Sequence, residues 1–239
     1  MAIFILVHGG MHGGWCWDHA ATILRAASHT VHAPDLPGMG ADTTPLAKVT
    51  LSLTVDVIAD ILVAQSEMPI VVGHSLAGLI LSEVAERLPE RIACLVYVTA
   101  ALLPNGASFQ DAPEQDVVRP GLIAAEDGVA VQYDPAHAKE TFYNTTDPQL
   151  AREAVSRLTP QPVAPMQVPL KLTGERFGRV PRAYIECTED RTITIAAQRQ
   201  MQVILPCEPV FTLKTDHSPF LSAPQAFTDC LFAIAKRFC

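Results

Sequence analysis

Residues 70–80 read IVVGHSLAGLI and place Ser75 between an apolar, β-branched run and a segment with helical spacing. A serine on so tight a strand-to-helix turn needs small neighbours, because its own backbone is strained and the flanking chains approach closely. Gly73 and Ala77 lie two positions away on either side, and Gly78 follows. The pattern predicts a serine nucleophile; a serine that only caps the following helix is the alternative.

Apolar strands alternate with amphipathic helices on both sides of this segment. Continuous apolar strands in such an alternation predict an α/β fold with a mostly parallel sheet and helices on both faces. The expected strands are 3–7, 30–33, 70–72, 92–98, 183–187 and 210–213. The expected helices are 17–27, 53–65, 76–88 and 224–238.

The alternation stops after Ala101, and the chain is rich in proline until about Arg179, as in LTPQPVAPMQVPLKL at 158–172. Short helical patterns such as 148–158 occur within it, which indicates an inserted cap and not a free linker. We therefore predict a core in two parts, residues 1–104 and 180–239, with the cap at 105–179.

The composition narrows the function classes. Of the 239 residues 49% are apolar, enough for a large core, and the formal charge of −8 without a basic cluster argues against nucleic acid as a partner. A small neutral molecule is the expected partner. No apolar run is long enough to span a bilayer, and the first apolar run is expected to be a buried strand and not a signal peptide.

The six cysteines are scattered without a metal-binding spacing, so free thiols in a reducing compartment are expected, with the cytoplasm as the default. His8 and His12 have no carboxylate spaced to complete a metal site, and we expect no metal and no cofactor.

A serine nucleophile needs a histidine base, and the base needs an acid that fixes its tautomer. After a serine on such a turn, the acid and then the histidine follow in chain order. His137 and His217 are the histidines after Ser75; His137 lies in the cap, whereas His217 follows the last expected strand. Glu189 and Asp190 follow the preceding strand, and Asp216 is too close in sequence to His217 to bond its ring.

Together these features resemble the α/β-hydrolase superfamily, an α/β fold with an inserted cap. More narrowly, LVHGGMHGGWCW, LPGMGAD, GHSLAG, YIECTEDRT and TDHSPFLSAP are similar to a group of plant methyl esterases, plant hydroxynitrile lyases and bacterial carboxylesterases, some of which cleave pyrethroids. The resemblance places the triad acid at Asp190 and implies Ser75, Asp190 and His217 as catalytic residues. The plant proteins often form dimers, so a homodimer is an expectation of the resemblance.

The paired glycines of residues 9–14, GGMHGG, which we call the glycine loop, at first suggest a phosphate cradle. The spacing is not that of G-x-G-x-x-G, and the P-loop lysine is missing. In the resembling fold this loop supplies one backbone N–H of the oxyanion hole and the residue after the nucleophile supplies the other, which are here Gly10 and Leu76. A tight turn without a ligand is the alternative.

Two substrate-pocket positions separate esterase from lyase within the resemblance. The plant lyases carry a threonine and a lysine where this chain has Gly9 and Ser218, and the lysine stabilises departing cyanide. Without that cation, hydrolysis of hydrophobic esters by a serine carboxylesterase is favoured. A hydroxynitrile lyase and a non-catalytic small-molecule receptor stay open as alternatives. Trp15, Trp17, Phe142, Tyr143 and Met166 are candidates to line the pocket, although both tryptophans suit core packing better.

Overall fold

The computed structural model describes residues 1–113 and 120–239. The strands of its main sheet are β1 (Ile3–Val7), β2 (Thr30–His32), β3 (Ile70–His74), β4 (Cys94–Val98), β8 (Arg182–Cys187) and β9 (Val210–Leu213). They are parallel throughout and have the order β2-β1-β3-β4-β8-β9. The central strands β3 and β4 are buried along their whole length, as expected for strands covered on both faces.

Helices cover both faces of this sheet. They are α1 (Asp18–Ala26), α2 (Leu51–Val63), α3 (Ala77–Arg87), α4 (Pro135–Phe142), α5 (Pro148–Ser156), α6 (Ile195–Ile204), α7 (Pro219–Ser222) and α8 (Pro224–Phe238). Because successive side chains of a strand point to opposite faces, the sheet separates two buried apolar clusters. One contains side chains of α2, α3 and α6, and the other contains side chains of α1 and α8.

The segment predicted to be the cap, residues 105–179, lies in the chain between β4 and β8, two strands that pair directly in the sheet. It carries α4, α5 and a small antiparallel sheet of β5 (Leu122–Ala124), β6 (Ala130–Tyr133) and β7 (Gln161–Pro162). Phe142 and Ala151 join the cluster of α1 and α8, whereas Leu170 and Phe177 join the cluster of α2 and α3. The cap is therefore packed onto the core from both sides of the sheet.

The α/β architecture and the parallel sheet predicted from the sequence are confirmed, and β9 and α8 have the predicted bounds. Strand β1 has them too, and the other predicted elements differ by one or two residues at an end; for example, α2 begins at Leu51, where the side chain of Thr50 accepts a hydrogen bond from the Leu53 N–H and caps the helix. The three cap strands and helices α4, α6 and α7 were not predicted. The division into core and cap at residues 104 and 179 stays a prediction.

No helix within the described ranges is long and apolar enough to cross a lipid bilayer.

Candidate active site

Ser75 sits on the turn between β3 and α3, in a left-handed backbone conformation with φ of 54°. Its N–H donates to the carbonyl of Val98 at 3.2 Å, and its carbonyl accepts from Ala101 N–H at 3.0 Å and from Gly78 N–H at 3.2 Å. A non-glycine residue with positive φ is uncommon, so bonds to β4 and the chain after it are needed to hold the turn. The predicted strand-to-helix turn is present.

The need for small neighbours around Ser75 is visible in the packing. A Cβ on Gly73 would lie 2.4 Å from a methyl carbon of Leu81, and one on Gly78 would lie 2.0 Å from the carbonyl oxygen of Ala101. The sequence pattern points to Ala77, but the closer of these two added-Cβ contacts is at the next residue, Gly78, where α3 crosses the chain after β4. Both glycines let the flanking segments approach closely.

His217 and Asp190 form a fully buried pair. The ring Nδ1 of His217 lies 2.6 Å from Asp190 Oδ2, and both side chains are at most 1% exposed. The other oxygen, Oδ1, accepts from the backbone N–H groups of Thr192 at 2.6 Å and Ile193 at 3.0 Å. The carboxylate is thus fixed from behind and presents one oxygen to the ring.

Thr99 is a further partner of this pair that sequence reasoning missed. It directly follows β4, has a positive φ of 37°, and its hydroxyl donates to Asp190 Oδ2. The signal that could have found it is its position, because polar residues just beyond the carboxyl ends of parallel strands converge on one sheet edge.

Asp216, set aside from the sequence as the histidine's partner, bonds to the cap. Its Oδ2 accepts from the N–H groups of Thr145 and Thr146, at 2.9 and 2.8 Å, and from the Thr146 hydroxyl at 2.8 Å. Its Oδ1 accepts from Ser218 N–H at 3.0 Å. Asp216 therefore joins the loop that carries His217 to the cap.

His74 links the serine turn to the histidine loop. It is the residue before Ser75, its Nε2 donates to the carbonyl of His217 at 2.8 Å, and the two ring centroids are 4.5 Å apart. Burial, followed by the neighbouring rings of His217 and His12, holds the pKa of His74 well below its usual range. Ser75 and His217 thus reach the same sheet edge, although among the described residues no hydrogen bond joins the Ser75 hydroxyl to the His217 ring.

The glycine loop faces Ser75 from the end of β1. The Gly9 carbonyl accepts from His8 Nδ1 at 2.9 Å and from His12 N–H at 3.4 Å. The next N–H, that of Gly10, has no hydrogen-bond acceptor among the described residues, and the same holds for the N–H of Leu76. Two unpaired N–H groups therefore flank the serine.

Two buried histidines, His8 just before the loop and His12 within it, are held neutral. His8 Nδ1 donates to Gly9, so its Nε2 is free to accept from Leu36 N–H at 3.0 Å, and burial lowers the pKa of His8 to about 4. Burial also lowers the pKa of His12 to about 3. These neutral rings consequently add no cation to the site.

A cavity of about 120 Å³ opens beside Ser75, and Gly10 and Leu76 belong to its wall. The cap supplies most of the remaining lining. Apart from Gln161, these cap residues are apolar or aromatic: Phe109, Leu122, Val131, Tyr133, Phe142 and Met166. The site thus combines a serine, two free N–H groups and an apolar space that suits a hydrophobic molecule.

The predicted pocket residues are distributed unevenly around this cavity. Phe142 and Met166 line it, whereas Trp17 is packed in the core against Phe220 and Phe227. Gly9 lines a different, smaller cavity of about 20 Å³, whose wall also includes Gly10 and Leu76. Ser218 is fully buried and is not part of the cavity wall beside Ser75.

Trp15 and Tyr143 contact His12 instead. The ring of Trp15 stacks on His12 at 5.6 Å, and the Tyr143 hydroxyl bonds to its Nε2 at 2.8 Å.

With this geometry established, comparison with known proteins gives the family. The sequence matches the alpha/beta hydrolase family over residues 4–229. The chain belongs to this family. The predicted superfamily is thereby confirmed.

Known relatives of this hydrolase include plant and bacterial proteins. Methylesterase 2 of Arabidopsis thaliana is 31% identical, over 99% of this chain and 97% of its own length. A pyrethroid hydrolase from Sphingobium faniae JZ-2 has a crystal structure that superposes with a TM-score of 0.87 and 30% sequence identity. The match covers 98% of this chain and 97% of that one.

The hydrolase is also 33% identical, over 98% of its length, to an Arabidopsis thaliana protein named as chloroplastic methylesterase 11. It spans 64% of the length of that relative.

Proposed function

We propose that this hydrolase is a serine carboxylesterase that cleaves small to medium hydrophobic carboxylic esters through an acyl-enzyme. The observation that carries the proposal is that the N–H groups of Gly10 and Leu76 have no acceptor among the described residues. Both residues belong, with Ser75, to the wall of an apolar cavity. Such donors are useful where an oxygen becomes negatively charged during the reaction. Relatives named as methylesterases and as a pyrethroid hydrolase support an ester as the substrate.

In the first half of the reaction Ser75 Oγ forms a bond to the ester carbonyl carbon while His217 takes the hydroxyl proton. The electron pair of the carbonyl double bond moves to its oxygen, which Gly10 and Leu76 stabilise. When the carbonyl double bond re-forms, the bond to the alcohol oxygen breaks, and that oxygen takes the proton from His217. The alcohol leaves and the acyl group remains on Ser75.

In the second half His217 takes a proton from water, whose oxygen bonds to the acyl carbon. The same two N–H groups stabilise the second oxyanion, and the proton returns from His217 to Ser75 Oγ as the acid leaves. Asp190 holds the ring with Nδ1 protonated, which leaves Nε2 free for these transfers. The apolar side chains of the cap would hold the hydrophobic part of the ester.

The test is a panel of p-nitrophenyl esters of increasing acyl length, together with mandelonitrile, on the wild type and Ser75→Ala. We expect ester hydrolysis by the wild type and a loss on the order of 10⁶-fold in kcat for Ser75→Ala. Ser52→Ala, the same change on the exposed face of α2, is the matched control and should keep full activity. Mass spectrometry of a rapidly quenched reaction should find the acyl group on Ser75.

Other outcomes would replace the proposal. Cyanide release from mandelonitrile without ester hydrolysis would make the protein a lyase. Saturable binding of esters with no turnover would make it a small-molecule receptor, and ester hydrolysis that survives in Ser75→Ala would remove the serine from the mechanism.

A further inference from the structure

The peptide group that joins Gly10 to Met11 is held at both ends. The Gly10 carbonyl accepts from Nδ1 of His12 at 2.7 Å, and the Met11 N–H donates to Oε1 of Gln161 at 3.3 Å. The Met11 carbonyl accepts from the N–H of Thr159 at 2.9 Å. Two of these three bonds come from the cap, although the glycine loop belongs to the core.

The remaining bond, from His12 to the Gly10 carbonyl, is itself supported by the cap. Because a carbonyl only accepts hydrogen bonds, His12 Nδ1 carries the proton, and Nε2 is left to accept from the Tyr143 hydroxyl at 2.8 Å. The His12 ring is fully buried and is enclosed by Trp15, Phe142 and Phe220. Its orientation is therefore fixed by packing and by two hydrogen bonds.

The loop requires such support, because Met11 adopts a left-handed conformation with φ of 64°. A residue with a Cβ rarely keeps this conformation unless surrounding contacts impose it. A relaxed Met11 would rotate the Gly10–Met11 peptide and, through the shared Cα of Gly10, the Gly10 N–H. The Gln161 oxygen also lies 3.0 Å from the point where a Cβ on Gly10 would be, so the cap side chain is pressed against this residue.

We propose that Tyr143 and Gln161 are positioning residues that aim the Gly10 N–H at the developing oxyanion, so that the cap takes part in transition-state stabilisation. Tyr143 acts through His12, and Gln161 acts on the Met11 N–H directly. Neither hydroxyl nor amide exchanges a proton with substrate. This inference rests on the proposed esterase function, since it assigns how one of the two oxyanion donors of that reaction is oriented.

Tyr143 provides the cleaner test, because it does not line the cavity beside Ser75, whereas Gln161 does. We would measure kcat and KM for a p-nitrophenyl ester in Tyr143→Phe and Gln161→Met. The matched control is Tyr97→Phe, which also removes a buried hydroxyl, one bonded to Ser82 on α3 at 3.0 Å. Thermal unfolding of all variants shows whether each is folded at the assay temperature.

A trifluoromethyl ketone reports on the oxyanion donors separately from substrate binding. Ser75 Oγ adds to its carbonyl carbon, the proton passes to His217, and the former carbonyl oxygen becomes an oxyanion that cannot expel a leaving group. The secondary alcohol obtained by reducing this ketone has no carbonyl carbon for Ser75 to attack and carries no negative charge. Its inhibition constant therefore measures binding in the apolar pocket without an oxyanion.

For Tyr143→Phe we expect kcat and trifluoromethyl ketone affinity to fall together by about 10-fold to 100-fold, with KM and inhibition by the alcohol within about twofold of the wild type. Gln161→Met should show the same fall in ketone affinity. Tyr97→Phe should lose stability without these losses.

Unchanged ketone affinity in a folded Tyr143→Phe, or an equal weakening of alcohol binding, would overturn the inference. If Tyr143→Phe does not fold, Gln161→Met decides by the same criterion. Absence of Ser75-dependent ester hydrolysis in the wild type would be a failure of the proposed function instead.

Discussion

The two oxygens of Asp190 have different partners, and this difference predicts the effect of a single-atom change. In Asp190→Asn the amide oxygen should take the place of Oδ1, which accepts two backbone N–H groups, because an NH₂ group there would face two donors. The NH₂ group then faces His217 Nδ1 and forces the ring into the opposite tautomer. We expect kcat for ester hydrolysis to fall by about 10⁴-fold with KM little changed.

Glu189→Gln is the control for this change, since it neutralises the neighbouring carboxylate without touching His217. Its activity should stay near that of the wild type. A kcat loss of the same size in both variants would show that charge in this loop matters and that the tautomer of His217 does not.

Gly9 shows why a residue cannot be transferred from a similar protein without its surroundings. The resemblance to plant lyases suggests Gly9→Thr as a step from esterase to lyase. Here a Cβ at this position would lie 2.6 Å from His74 Nδ1 and 2.8 Å from Ser75 Cβ. We expect Gly9→Thr to lose at least about 100-fold in ester hydrolysis, by displacing the serine, and to gain no cyanide release from mandelonitrile.

Activity assays on both substrates, with circular dichroism to verify folding, check this expectation. A folded Gly9→Thr that hydrolyses esters at the wild-type rate would mean that His74 can move away at little cost.

At this scale the sequence identified the residues with a local signal. Ser75 has small neighbours, and Asp190 and His217 each follow an expected strand, which is why the structure brings them to one sheet edge. Tyr143 and Gln161 carry no such signal, because their partners are 131 and 150 residues away in the chain. Such contacts depend on how the cap packs onto the core, which a local pattern does not contain.

Among the elements, α3 is in close contact with the backbone of the chain after β4 at Gly78. Alanine at position 78 would gain about 1 kcal/mol of helix propensity in an open helix. Its Cβ would instead meet the Ala101 carbonyl at 2.0 Å, and Ala101 also bonds to Ser75. Overpacking against a main chain costs about 3 kcal/mol or more, so Gly78→Ala should lower both the free energy of unfolding and kcat.

Urea unfolding and ester assays measure the two effects. Gly174→Ala, at a site with no atom within 4 Å of the added carbon, should change neither. A Gly78→Ala protein more stable than the wild type would show that α3 can shift away from the chain after β4.

The elements found from sequence and those missed differ in how they are stabilised. Strands β1, β3 and β4 are continuous apolar runs, and α8 has a clear apolar stripe, so periodicity locates them. Strand β5 has three residues, all exposed, and β7 has two and includes a proline. These strands are stabilised by pairing with β6, and a partner elsewhere in the chain leaves no periodic signal.

For the whole molecule, the burial of neutral histidines near the candidate site makes the free energy of unfolding depend on pH. In the unfolded chain a histidine has a pKa near about 6.5, whereas His8 and His12 in the folded chain have pKa values of about 4 and about 3. The pKa of His74 is lowered as well. Between pH 6.5 and about 4 the unfolded chain therefore binds protons that the folded chain does not.

The free energy of unfolding is therefore unaffected by these histidines above about pH 6.5 and decreases as the pH falls below it. The decrease is about 1.4 kcal/mol per pH unit for each histidine that is fully protonated in the unfolded chain and neutral in the folded one. Urea unfolding at pH 7.5, 6.5 and 5.5 should show a flat region followed by a slope approaching three protons. His12→Gln should reduce the slope by about one proton. A free energy of unfolding that stays constant down to pH 5.5 would contradict the buried neutral state.

The bonds from Asp216 to Thr145 and Thr146 have a consequence for engineering. Caps are natural units to exchange among related hydrolases when a new substrate range is wanted. Here the loop that carries His217 is bonded to the cap through the Asp216 carboxylate and through the Asp216 N–H, which donates to the Thr145 hydroxyl at 3.0 Å. A transplanted cap without equivalent partners would leave these buried polar groups short of hydrogen bonds beside the catalytic candidate. Chimeras of this protein should therefore carry residues 143–147 with the recipient core, and exchange only the segments that line the cavity.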